Sequence, residues 1–71
     1  MNSSETAQLQ RYLQSKFDNN RIRLMRRPKA GDSVEVLLED EFIGVVYKDD
    51  EDGEISYQFH MAIIEEDLPS L

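Results

Sequence analysis

Apolar residues recur along this chain with two different periods. Near the start, Leu9, Tyr12, Leu13 and Phe17 fall three and four apart, with Gln8, Gln10, Arg11 and Gln14 spread around the rest. That spacing is the stripe of an amphipathic helix. Asn2 followed three residues later by Glu5 reads as a capping box, with Ser3 or Ser4 as alternative caps. Asp18, Asn19 and Asn20 end the helix, because asparagine tolerates the left-handed conformation that a helix C-terminus often needs. A helix is therefore predicted over 3–18.

Beyond it the period changes to two, the signature of strands. Ile22 and Leu24 alternate with Arg21, Arg23 and Met25 in a strand predicted over 21–26, closed by the breakers Pro28 and Gly31. Residues 33–38 and 41–48 make a second and a third strand, joined by a two-residue turn at Glu39 and Asp40. With that turn, Val36 is expected opposite Ile43 and Val34 opposite Val45. One side then gathers Val34, Val36, Leu38, Ile43, Val45 and Tyr47. An acidic turn around Gly53 leads to a fourth strand, 55–61, with Ile55, Tyr57, Phe59 and Met61 alternating with Ser56, Gln58 and His60. Residues 62–71 read as a helical turn or an ordered tail.

The predicted fold is α+β: one small domain, 1–71, with an N-terminal amphipathic helix packed on a four-stranded antiparallel meander. In the expected register Leu37, Phe42 and Val46 point away from the helix, and Gly44 leaves a gap between them. A half-polar sheet faces water on that side, so three large apolar residues there call for a cover. Two covers present themselves: the tail around Ile63 and Leu68, or a second copy of the molecule.

Size and charge sharpen this picture. A chain of 71 residues builds a core worth roughly 3–5 kcal/mol unless something reinforces it. With no cysteine there is neither a disulfide framework nor a thiolate metal site, which leaves association as the reinforcement. The net charge of −7 opposes general attraction to phosphate backbones. It also conceals an asymmetry. Residues 1–31 carry seven basic against two acidic side chains, a balance of +5; residues 32–71 carry Lys48 against thirteen acids, a balance of −12. No signal-type or membrane-spanning apolar run is present, and a cytoplasmic location is the expectation.

Candidate chemistry is sparse. The acids of 49–54 resemble part of a calcium loop, but alignment on Gly53 puts Lys48 and Phe59 where the first and twelfth ligands belong. A solvated hairpin turn is the better reading. His60, the single histidine, has no nucleophile or carboxylate patterned around it, and no glycine-rich phosphate loop exists. No catalytic, cofactor or metal residue is assigned, and the chain is expected not to be an enzyme. Arg21, Arg23, Arg26, Arg27 and Lys29 form the one basic cluster. It suits an acidic protein partner or, as an alternative, RNA or DNA; the ordinary reading is that these arginines pair with Glu35 and Glu39 or guard an edge strand.

Leu9, Phe17, Ile22, Arg23, Arg27 and Pro28, then VEVLLEDEFIGVV over 34–46 and DDEDGEISY over 49–57, carry a family likeness across nearly the whole chain. The sequence resembles the short bacterial proteins catalogued as domain of unknown function 3126. The resemblance implies a cytoplasmic bacterial protein without known activity, and it transfers no site residue. Glu39 stands where the resemblance would place a glycine. The expected function is a small non-enzymatic interaction or accessory module that binds a protein partner or itself, with Leu37, Phe42 and Val46 as apolar contacts and Arg21, Arg23, Arg26 and Arg27 as charged ones.

Overall fold

The computed structural model describes residues 1–29 and 31–71. It contains helix α1 (Ser3–Lys16), strands β1 (Ile22–Arg26), β2 (Ser33–Leu38), β3 (Glu41–Asp49) and β4 (Ser56–His60), and a 3₁₀ turn at Glu65–Asp67. The strands pair antiparallel in the order β1-β2-β3-β4, a meander.

Helix α1 begins where the capping box placed it. The Glu5 amide donates to Asn2 Oδ1 at 2.8 Å, and the Asn2 amide donates back to Glu5 Oε1 at 3.3 Å, so two of the helix's orphan donors are satisfied reciprocally. It ends two residues earlier than predicted. Phe17 is the C-cap and Asp18, not an asparagine, takes the left-handed conformation at φ 51°. Asn19 acts in the following turn instead, its Oδ1 accepting from the Arg21 amide at 2.9 Å.

The turn between β2 and β3 is the expected two-residue one, with Glu39 at φ 52° and Asp40 at φ 68°. Two positive φ angles match the twist of a hairpin. The pairing starts in the expected register, Leu38 opposite Glu41 and Leu37 opposite Phe42, but a bulge then intervenes. Val36 lies opposite Gly44 and Val34 opposite Val46, so the expected pairs Val36 with Ile43 and Val34 with Val45 do not form. Because side chains alternate, that one-residue shift exchanges the two faces of β3 beyond Ile43. Val46 lies in the core, while Val45 and Tyr47 share the outer face with Glu35, Gln58 and His60.

The core is small: Leu13 from α1 with Ile22, Leu24, Val34, Val36 and Val46 from the first three strands. Val34, Val36 and Val46 are almost fully buried. Helix α1 sits over β1, at one side of the sheet, and the opposite side is left uncovered. Every residue of β4 and of the tail that follows is exposed. The radius of gyration, 13.3 Å, exceeds the roughly 11 Å expected for a compact chain of this length. The tail does not cover the outer face either, since Phe42 stays 55% exposed and Ile64 54%.

Candidate functional site

The off-centre helix leaves a concavity on its own side of the sheet. Leu9, Tyr12 and Phe17 form one wall, and Val46, Tyr57 and Phe59 form the floor, of an open groove of about 590 Å³ between α1 and β4. Its size is that of a ligand or side-chain docking site. Tyr12 and Phe17 are more than half exposed within it, and Tyr57 and Phe59 about one third. Four water-exposed aromatic rings around one concavity are costly unless something covers them.

The floor depends on Gly44. A Cβ there would lie 2.7 Å from Phe59 Cε1 and would collide with the carbonyl oxygen of His60. The absent side chain is what lets β4 and the Phe59 ring lie close against β3.

One end of the groove is closed by a clamp of three polar groups. Glu5 Oε2 accepts from Lys48 Nζ at 2.7 Å and from the Tyr57 hydroxyl at 2.8 Å, while its other oxygen completes the helix cap. The cap of α1 is thereby tied to both β3 and β4. The hydrogen bond from Lys48, followed by that from Tyr57, holds the Glu5 carboxyl down at about 2. Its bond to Glu5 pushes the Lys48 ammonium up, and the separate bond from the Tyr57 hydroxyl to Glu5, with burial second, pushes the Tyr57 phenol up. All three groups are fixed more firmly in the charge states they hold at neutral pH.

The predicted interaction residues are not brought together. Val46 is 2% exposed on the helix side of the sheet, so it is a core residue and no part of an outer patch. Leu37 and Phe42 remain neighbours on the outer face, as a cross-strand pair. The basic cluster is divided as well. Arg21 pairs with Glu39 and Arg27 with Glu35 at 4.0 Å, and Arg27 also donates to the Ser33 hydroxyl at 3.4 Å. Arg23, opposite Leu37, and Arg26, opposite Val34, belong to different faces of β1. His60 packs edge-on against Tyr47, with ring centroids 5.2 Å apart. Among the described residues no three His, Asp or Glu side chains converge as a metal set, and no helix is long and apolar enough to cross a membrane.

Sequence reasoning missed the clamp and the groove. A signal for the clamp was present: Lys48 is the lone cation of residues 32–71, and Glu5 one of only two acids before them. The groove left no comparable trace, because it depends on where the helix rests on the sheet.

Fold and groove together define a small α+β protein, a helix laid off-centre on a four-stranded meander. The chain belongs to the family described as Protein of unknown function (DUF3126), which matches residues 5–67. No curated protein matches the chain, and no solved structure does.

Proposed function

We propose that this protein is a non-enzymatic interaction module whose contact surface is the groove between α1 and β4. The observation that carries the reading is the aromatic lining: Tyr12, Phe17, Tyr57 and Phe59 stand exposed around one apolar concavity. Aromatic residues in partly enclosed sites are the usual anchors of protein interfaces. Two further observations support it. Glu5, Lys48 and Tyr57 at the end of the groove are held in their resting charge states, and the arginines that would grip nucleic acid are split between faces or paired with acids.

The test compares two exposed aromatic positions on different faces. Tagged wild-type protein, Tyr12→Glu and Phe42→Glu are incubated with lysate of the source organism, with circular dichroism as a check on folding. A protein retained by wild type and Phe42→Glu but lost from Tyr12→Glu is the expected result. Loss from Phe42→Glu alone would move the contact surface to the outer face. Nuclease-sensitive material released by moderate salt would replace the reading with nucleic-acid binding.

A further inference from the structure

The two edges of the sheet are treated differently. At β1 the helix supplies two of the bonds that a further strand would make: the Leu24 amide donates to Gln10 Oε1 at 2.9 Å, and Gln14 Nε2 donates to the Ile22 carbonyl at 2.8 Å. That edge is occupied by side chains of its own chain. At β4, among the described residues, no side chain takes the place of a neighbouring strand. Its sequence, Ser-Tyr-Gln-Phe-His, carries no lysine, no acid and no proline, the usual devices that blunt an edge.

The open edge also borders the aromatic groove. Tyr57 and Phe59, opposite Lys48 and Val46, point to the helix side of the sheet. A strand added alongside β4 would project every second side chain to that same side, next to those rings. Negative charge brackets the uncharged strand at both ends, with five acids among residues 49–54 and three in the turn Glu65–Asp67.

Resting on the interaction reading above, we infer that β4 receives an extended segment of another polypeptide by strand addition. Its alternate apolar side chains enter the groove, and its lysines or arginines meet the acids at the two ends. Charge decides against a second copy as the occupant. Two β4 strands laid antiparallel about Gln58 would set the acidic turn of each chain beside the acid-bearing tail of the other. Like charges gathered at the same ends of that seam repel one another within a Debye length of roughly 8–10 Å. Each copy also carries −7 overall.

The probe is a capped, fluorescent nine-residue peptide of alternating valine and lysine, titrated by anisotropy at physiological salt. Three comparisons accompany it: the peptide N-methylated at alternate amides, the peptide with glutamate for lysine, and the Tyr12→Glu protein. Expected are binding that weakens at least tenfold in each comparison and slowed hydrogen exchange at β4 amides. Equal binding of the N-methylated peptide would overturn strand addition while leaving the groove reading intact. Binding indifferent to Tyr12→Glu would show simple attraction to the acidic turns and overturn both. Absence of peptide binding, with sedimentation as a dimer and β4 amides already protected, would make a second copy the occupant and overturn the inference alone.

Discussion

The ring of Phe59 occupies the space that a side chain at Gly44 would need. Cε1 of the ring lies 2.7 Å from the position of a Cβ on residue 44, and the His60 carbonyl crowds the same point from the backbone. Gly44→Ala is therefore expected to push β4 and the ring away from β3, at a cost of about 1–3 kcal/mol for overpacking. Urea denaturation measures the loss. Phe59→Ala in the same background relieves the contact with the ring but not that with the carbonyl, so the double variant should be less destabilised than the sum of the two singles.

Glu5 makes the stability of the protein depend on acid. Its carboxyl is lowered from an ordinary 4.5 to about 2, so between those values the unfolded chain binds more protons than the folded one. Stability then rises with pH across that window. The contribution is fully present above 4.5 and is lost as pH falls toward 2. Lys48 and Tyr57 are raised, so their contribution is present below ordinary values of 10.5 and 10.0 and is lost as pH climbs past them. In Glu5→Gln both slopes should flatten, as followed by thermal unfolding from pH 2 to 5 and from pH 9 to 11.

How far the fold was legible depends on where the pattern was periodic. The helical stripe, the alternating strands and the acidic turn at Glu39 and Asp40 each follow from local spacing, and each recurs within two residues of its predicted limits. The bulge does not follow, because Phe42, Ile43, Gly44, Val45 and Val46 are a continuous apolar run. A run without alternation keeps its pattern whichever way it is shifted by one. Val46 was accordingly placed on the wrong face, while Leu37 and Phe42, which precede the bulge, lie on the outer face as expected. The groove lay outside local reasoning altogether, since it arises from a helix that packs mainly on β1 and reaches β4 only through Glu5.

That exchange of faces gives Val46 and Phe42 opposite sensitivities. Val46→Ala removes buried methyl groups from the core and is expected to cost about 2 kcal/mol. Phe42, half exposed on the outer face, should tolerate Phe42→Glu within about 0.5 kcal/mol. Chemical denaturation of the two variants side by side checks the assignment. The register read from alternation alone puts both residues on the outer face and demands that both substitutions be tolerated.

Asp40 is held at φ 68°, after Glu39 at φ 52°. The left-handed region costs a residue bearing a Cβ roughly 1 kcal/mol or more, while glycine enters it freely. Asp40→Gly keeps the two-residue turn and gives it the residue that such turns favour at the second position. It also leaves the ion pair between Arg21 and Glu39 in place. Stability is expected to rise by about 1 kcal/mol, read as a higher urea midpoint at unchanged slope.

Gln10 and Gln14 carry the difference between the two edges of the sheet, and removing them should make β1 behave as an open edge. Gln10→Ala leaves the Leu24 amide without its partner, and Gln14→Ala does the same to the Ile22 carbonyl. Each loss is expected to cost about 1 kcal/mol. Alanine is the better helix former, so its propensity works against that loss and cannot produce it. Stability alone would not separate a lost bond from an exposed edge, but association does. A double variant with both backbone groups freed presents Ile22–Arg26 to other chains, and light scattering below the unfolding temperature should then rise with protein concentration. Lower stability with scattering unchanged would mean that these glutamines only fasten α1 to the sheet, and the contrast with β4 would lose its meaning.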